Sequence, residues 1–269
     1  MVSKPASTDQ SSQSDESFER LVDEHGGTLY SLGLRFCGDR TQAEDLVQEV
    51  FLQAFKAWGG FEGRSSPKTW LYTIAARACQ RMHRKKSGEP ERIGSVDELL
   101  PFGEPLIATI PSDEDEAATL QIRKEAKERL EAAIALLPTD FRVPLILKEI
   151  VGLSIQEVAN ILGLAEGTVR SRVHRARLKL RKSIEEGLPK IDMSDSPPVY
   201  SVQTCLDLLN AKQEALDRNV PFDSAVLCEK CKSVFATLDL THEACLDLAR
   251  GDLPIQLRNK VLAMTEPEN

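Results

Sequence analysis

Apolar residues recur at intervals of three and four along most of the chain, which is the spacing of amphipathic α-helices. No sustained alternation of apolar and polar positions indicates a β-strand. Near the N-terminus, Thr41 and Glu44 form a capping-box pattern that predicts the start of a helix, and the glycine pair at 59–60 predicts its end. The pattern therefore predicts an all-α protein.

Interruptions of the helical pattern predict how the chain is divided. The first residues are rich in Ser, Gln and Asp, and the stretch between the two main helical blocks is rich in Pro, Gly and acidic residues. The predicted segments are a disordered tail at 1–17, a helical domain at 18–87, a linker at 88–118, a second helical domain at 119–187, a hinge at 188–198 and a small helical, cysteine-rich domain at 199–269.

The second domain contains a predicted helix-turn-helix. Ser154 and Glu157 form a capping box, Gly163 ends the first helix, and a second helix begins near Glu166. Within 168–182 there are seven basic residues and no acidic one, which favours a DNA-binding face over a merely solvated cationic face. The predicted DNA contacts of this helix are Arg170, Ser171, His174, Arg175 and Lys179.

Charge is distributed unevenly along a chain whose net charge is −8. A second basic stretch lies at 77–86, whereas acidic residues outnumber basic ones by 14 to 8 from Glu186 to the end. This asymmetry is typical of a protein that binds a polyanion, and it predicts a contact of the acidic C-terminal domain with the basic domains. No run of roughly 18–20 apolar residues and no secretory signal is present, so we expect a cytoplasmic protein without structural disulfides.

Three motifs in this order resemble the extracytoplasmic-function (group IV) sigma factors of bacterial RNA polymerase: AEDLVQEVFLQAF at 43–55, TWLYTIAAR at 69–77 and LSIQEVANILGLAEGTVRSRVHRARLKL at 153–180. The resemblance implies a promoter-specificity subunit that binds core RNA polymerase and promoter DNA. Catalysis then belongs to the polymerase, and the sequence contains no catalytic constellation of its own.

The resemblance also assigns roles to particular residues. The helix at 43–55 is similar to the one that binds the polymerase, which implies contacts from Asp45, Gln48 and Glu49. The basic helix that follows resembles the element that opens and recognises the −10 promoter region, and the helix-turn-helix resembles the −35 recognition element. The implied −10 contacts are Arg77, Arg81, Arg84 and Lys85. This chain departs from the family pattern, because Arg77 and Arg81 replace an Asn and an Asp; the −10 sequence is therefore not predicted.

The C-terminal domain contains a group of soft metal ligands: Cys205, Cys228, Cys231, His242 and Cys245. A Cys-x-x-Cys pair and a His-x-x-Cys pair together suit a thiolate-rich site for zinc, cadmium or copper. The segment also resembles zinc-binding anti-sigma domains, although Ser224 occupies the position of their histidine. It is more similar to CorE-type sigma factors, whose cysteine-rich extension responds to metals. The isolated thiols of Cys37 and Cys79 are predicted to pack in the core instead.

We therefore predict a sigma factor whose activity is regulated by metal binding to the C-terminal domain. Three alternatives remain open on the sequence alone. The thiols can act as a redox switch, the chain can be a helix-turn-helix regulator that is not a sigma factor, or the C-terminal domain can serve only to stabilise the fold.

Overall fold

The computed structural model describes residues 8–61, 63, 65–84, 93, 96–100, 106–110, 116–193, 200–223, 227–248 and 252–264. The chain forms two compact units. The first unit comprises Met1–Ser87 together with Arg250–Asn269, and the second unit comprises Gly88–Ala249.

The described residues are mostly helical, which confirms the predicted all-α class. The helices are α1 (Thr8–Cys37), α2 (Arg40–Trp58), α3 (Pro67–Arg84), α4 (Val96–Leu99), α5 (Glu116–Leu136), α6 (Thr139–Leu145), α7 (Ile155–Leu162), α8 (Glu166–Glu185), α9 (Val202–Arg218), α10 (Glu229–Asp247) and α11 (Ile255–Ala263). A π-helical turn, Ile146–Ile150, continues α6, and two short strands are β1 (Leu106–Ala108) and β2 (Lys190–Asp192). No helix in the described part of the chain is both long enough and apolar enough to cross a membrane.

Helices α1, α2 and α3 pack together in the first unit. The spacing along α2 predicts one apolar stripe, and it is buried except for Trp58 at its end, which is half-buried. The buried residues are Ala43, Leu46, Val47, Val50, Phe51 and Ala54. The start of α2 differs from the prediction, because the cap is Asp39 rather than Thr41. The Asp39 carboxylate accepts a hydrogen bond from the Gln42 backbone N–H at 2.9 Å, so the helix begins at Arg40.

The C-terminal helix α11 belongs to the first unit, where it packs on α1 and α2. Leu257 and Val261 are buried, and Arg258 donates to Glu19 at 2.7 Å and to Asp23 at 2.5 Å, both on α1. The segment predicted as one domain at 199–269 is therefore divided between the two units. The apolar residues of α9 and α10 contribute to the core of the second unit, and those of α11 contribute to the core of the first.

The second unit joins the predicted second domain to α9 and α10, with α10 packed on α5, α8 and α9. The predicted linker and hinge contain regular structure here: β1 pairs with β2 in antiparallel register, with Leu106 opposite Asp192. Ser233 of α10 donates to the Ala108 carbonyl at 2.6 Å, which fixes this ribbon to the helices. Both strands are too short to give a recognisable alternation in the sequence. The predicted tail at 1–17 likewise overlaps α1, which begins at Thr8.

We expect Leu257→Ala to destabilise the first unit by about 2–3 kcal/mol, because it removes a buried side chain between α11 and the helices beneath it. Both tryptophans, Trp58 and Trp70, lie in the first unit, so urea unfolding followed by tryptophan fluorescence reports on that unit alone. The matched control is Ile255→Ala on the same helix, whose side chain is exposed. Equal effects of the two substitutions would contradict the packing of α11.

Candidate nucleic-acid interface and thiol cluster

Local sequence determines the geometry of the helix-turn-helix formed by α7 and α8. The Ser154 side chain accepts from the Glu157 backbone N–H, and the Glu157 carboxylate accepts from the Ser154 N–H at 2.8 Å, so the predicted capping box is confirmed. Gly163 ends α7 with a φ of 66°, a left-handed conformation that glycine adopts without strain. The second helix begins at Glu166, as predicted.

The inner face of α8 contains two arginines that the sequence places in the basic patch. Val173 and Leu180 are fully buried, and Arg177 and Arg181 are buried as well. They lie four and eight positions after Val173 and so continue its apolar stripe, which is the signal that identifies them as internal. The basic stretch therefore separates into internal structural arginines and outward-facing cations.

Arg177 forms a buried network with two carboxylates from different segments. Its Nε lies 3.1 Å from Glu149 Oε1 on the π-helical turn, and its Nη1 lies 2.8 Å from Asp217 Oδ1 on α9. The side chains of Arg177 and Glu149 are 2% and 1% exposed. Burial raises the pKa of Glu149, but the Arg177 charge and a hydrogen bond from His242 outweigh it and lower the pKa to about 2. Glu149 is therefore ionised in the folded protein at neutral pH.

Asp217 also contacts the outward face of α8. Its Oδ2 lies 2.9 Å from His174 Nε2 and 3.7 Å from Arg170 Nε, and its carboxylate is 8% exposed. Burial raises the pKa of Asp217, but the His174 hydrogen bond and the Arg177 charge lower it further than burial raises it. Nearby, Gln213 of α9 donates to the His174 carbonyl at 3.2 Å. Helix α9 of the C-terminal segment thus contacts His174 and Arg170, two residues of α8 that are predicted to bind DNA.

The other predicted DNA contacts of α8 differ in their surroundings. Arg175 donates to the Ile93 carbonyl of the predicted linker at 2.8 Å, and its guanidinium lies 5.4 Å from the Phe141 ring centroid. Ser171 and Lys179 are exposed. We call the five residues Arg170, Ser171, His174, Arg175 and Lys179 the recognition face.

In the first unit, the residues predicted to bind the polymerase lie on the outer side of α2. Asp45 and Glu49 are exposed, and Gln48 is half-buried. Among the predicted −10 contacts on α3, Arg77 is exposed, and Arg81 lies 3.9 Å from Glu49 in an exposed pair. The side chain of Arg84, the last residue of α3, and all of Lys85 lie outside the described residues.

The predicted metal ligands are only partly brought together. The Cys231 thiol on α10 lies 3.9 Å from the Cys205 thiol on α9, and Cys228 lies within hydrogen-bonding reach of Cys231. Burial, and then the neighbouring thiols, raise the pKa of the Cys231 thiol. Two thiolates on one tetrahedral zinc ion, each about 2.3 Å from the metal, lie roughly 3.8 Å apart, so the Cys205–Cys231 pair fits a metal.

The remaining two predicted ligands are placed differently. His242 Nδ1 lies 2.5 Å from Glu149 Oε2, in the buried network rather than in a cluster of thiols, and Cys245 is buried in α10. Over the described ranges, no group of three or more His, Cys, Asp and Glu side chains is arranged to hold a metal ion. The complete five-residue ligand set is therefore not assembled in this structure. Cys79, predicted to be a core thiol, is fully buried, and Cys37 is half-buried.

Comparison with known proteins identifies both helical domains. Residues 21–89 match the family model for sigma-70 region 2, and residues 127–180 match the model for sigma-70 region 4. The chain is 33% identical over 168 residues to the RNA polymerase sigma-H factor of Pseudomonas aeruginosa. This match covers 62% of this chain and 86% of the relative. It is 34% identical over 181 residues to the ECF RNA polymerase sigma factor SigX of Bacillus subtilis, with coverages of 64% and 85%.

Among solved structures, the chain is similar to the sigma factor RpoE of Bartonella quintana, determined in complex with the anti-sigma factor NepR. The identity is 24%, the TM-score is 0.37, and the match covers 65% of this chain and 94% of that one. A TM-score of this size adds nothing to the argument.

The chain belongs to the extracytoplasmic-function (ECF) sigma factors of bacterial RNA polymerase. It is thus a transcription initiation factor that binds core RNA polymerase and promoter DNA, and it is not an enzyme, as predicted.

Glu149→Ala should lower the free energy of unfolding of the second unit by about 3 kcal/mol, because it removes one of the two carboxylates that neutralise the buried Arg177. Urea unfolding followed by far-UV circular dichroism measures this loss, while tryptophan fluorescence should report an unchanged first unit. The control is Glu214→Ala, which breaks an exposed pair with Arg218 and should cost less than about 1 kcal/mol. A cost for Glu149→Ala no larger than that of the control would contradict the network.

Proposed function

We propose that this ECF sigma factor recognises both promoter elements and that a metal ion bound by the thiols of α9 and α10 regulates it. The observation that carries the metal part is the approach of the Cys205 and Cys231 thiols, on two helices that pack in the same unit as the helix-turn-helix. The resemblance of the C-terminal segment to CorE-type extensions supports the same proposal.

The exposure of Arg170, Ser171 and Lys179 on α8, and of Arg77 and Arg81 on α3, supports recognition of both promoter elements. In the proposal, the recognition face of α8 contacts the −35 element, and Arg77 and Arg81 bind the DNA backbone near the −10 element. Arginine suits both tasks, because its guanidinium binds guanine edges and phosphate oxygens alike. Asp45, Gln48 and Glu49 then provide polar contacts to core polymerase from the opposite side of the buried stripe of α2.

The chemistry of the thiols favours a soft, thiophilic ion: zinc, cadmium or copper. Cys205 and Cys231 would hold such an ion, and Cys228 would have to move to become a third ligand; the ion neutralises the negative charge of thiolates that burial otherwise disfavours. Cys245 and His242 are the remaining candidate ligands. The Nδ1 atom of His242 faces Glu149, so its other ring nitrogen, Nε2, is the atom that would bind a metal, and ligation by His242 would connect the ion to the Arg177 network.

Redox regulation is the second candidate, because the Cys205–Cys231 pair also has the proximity that a disulfide needs. Burial raises the pKa of the Cys231 thiol, and because the thiolate is both the form that reacts with oxidants and the form that binds a metal, this shift does not favour one chemistry over the other. The geometry allows both chemistries, and metal content measured under reducing conditions separates them.

We expect the full chain, purified under reducing conditions, to bind one zinc or cadmium ion, or copper as Cu(I), and to lose this binding in the Cys228→Ser/Cys231→Ser double variant. Elemental analysis after dialysis measures the stoichiometry. Transcription by core polymerase and this chain alone, with and without each metal, measures the response, which the double variant should also lose. Cys37→Ser is the matched control, since Cys37 lies in the first unit and should leave both readouts unchanged.

The outcomes separate the alternatives. A metal response that survives in the double variant would overturn metal regulation through these thiols. A chain that contains no metal but forms a Cys205–Cys231 disulfide on treatment with peroxide, with a change in transcription, would support the redox alternative.

A further inference from the structure

Helix α9 places a carboxylate against the recognition face of α8. Asp217 contacts His174 at 2.9 Å and Arg170 at 3.7 Å, and Gln213, one turn earlier, donates to the backbone carbonyl of His174. All of these contacts lie within the second unit. The last turn of α9 and the start of α7 also share a cleft of about 330 Å³ with α8, whose lining includes Ser154, Gln156, Arg170, Glu214, Asp217 and Arg218.

Burial distinguishes the Asp217 contact from an incidental surface pair. The Asp217 carboxylate is 8% exposed, and the His174 side chain is 14% exposed. The other oxygen of Asp217 binds the buried Arg177 guanidinium at 2.8 Å. Because a buried carboxylate is costly unless its hydrogen bonds are satisfied, this arrangement holds α9 in one position relative to α8.

The same contact competes with DNA for the same groups. A carboxylate offers Arg170 and His174 oxygen acceptors similar to a phosphate oxygen or the edge of a guanine. Asp217 already pairs with His174 Nε2 at 2.9 Å and lies 3.7 Å from Arg170, whose side chain is 44% exposed. A DNA duplex that contacts His174 in the major groove therefore has to replace the Asp217 contact.

We propose that α9 is an intramolecular competitor of promoter DNA, in which Asp217 occupies Arg170 and His174 and keeps the recognition face from binding the −35 element until α9 moves. This proposal rests on the proposed role of α8 in promoter recognition, but it does not depend on a metal. The apparent affinity of the chain for DNA then equals the intrinsic affinity of the uncovered recognition face multiplied by the fraction of molecules in which α9 is displaced.

The predicted polymerase contacts on α2 and the recognition face of α8 differ in whether α9 covers them. Asp45 and Glu49 are exposed in the first unit, whereas the carboxylate of Asp217 covers part of the recognition face in the second. The blocking contact therefore acts on promoter recognition and leaves these polymerase contacts available.

The test compares the full-length chain with its Asp217→Asn variant in the presence of a metal chelator. Asparagine keeps the size of the side chain but removes the charge that attracts Arg170 and His174. We expect Asp217→Asn to bind fluorescein-labelled, random-sequence DNA duplexes about tenfold more tightly than the wild type, measured by fluorescence anisotropy at fixed salt. The control Asp207→Asn removes the same charge from an exposed part of α9 and should change the affinity less than about twofold.

A second substitution separates the blocking contact from the recognition role. In the Asp217→Asn background, Arg170→Ala should weaken DNA binding. If Asp217→Asn binds no more tightly than the wild type while Arg170→Ala still weakens binding, the blocking contact is overturned and the recognition role stands. If neither substitution changes the affinity, both are overturned.

Hydrogen exchange of the wild-type chain keeps the proposal testable should Asp217→Asn prove unstable. Addition of saturating random-sequence duplex should speed amide exchange in α9, since DNA displaces this helix, while exchange in α2 stays unchanged. Unchanged or slower exchange in α9 on DNA binding would overturn the proposal.

Discussion

The buried guanidinium of Arg177 is the constraint on which the second unit depends. A permanently charged side chain that is 2% exposed is tolerated only if carboxylates neutralise it, and no carboxylate lies near it in the sequence of α8 itself. Glu149 comes from the π-helical turn before the helix-turn-helix, and Asp217 comes from α9. Arg177 therefore gains its second carboxylate partner only when α9 packs against α8.

Helix α9 carries both a candidate metal ligand and the carboxylate that meets the recognition face of α8. Helix α9 carries Cys205 in its first turn and Asp217 in its last turn, about 18 Å apart at 1.5 Å per residue. In the proposed regulation, a movement of α9 that changes the distance between Cys205 and Cys231 would also alter the position of Asp217 against His174 and Arg170. The candidate metal ligand Cys205 and the residue Asp217, which contacts the recognition face, thus lie on the same helix.

The sequence predicts well those features that depend on neighbouring residues. The capping box at Ser154, the left-handed Gly163 and the buried stripe of α2 all follow from patterns within one helix. The family motifs identify both sigma domains for the same reason, since each motif occupies one or two consecutive helices. The start of α2 is the local exception, because two adjacent capping candidates, Asp39 and Thr41, compete for the same helix end.

Features that depend on distant partners are not predictable in this way. The charge balance predicts contact between the acidic C-terminal segment and a basic domain, but it does not identify Asp217 as the residue that meets Arg170 and His174. His242 has the spacing of a metal ligand to Cys245, yet it binds Glu149, which lies 93 residues earlier in the chain. The same limitation concerns 199–269, because the pattern indicates helices there but does not show that α11 completes the first unit.

The C-terminal segment is thus not an independent sensor attached to a sigma factor. Helix α10 packs on α5 and α8 as well as on α9, so part of its apolar surface belongs to the core of the DNA-binding domain. A separate domain would transmit a signal only through its interface, whereas here a rearrangement of α10 changes the packing beneath the recognition helix itself. Such an element needs a free-energy difference of only a few kcal/mol between its two positions to shift the population of molecules able to bind DNA. In the proposed regulation, a metal that binds the thiols more tightly in one position than in the other would supply that difference, and its sign would decide whether transcription is activated or inhibited.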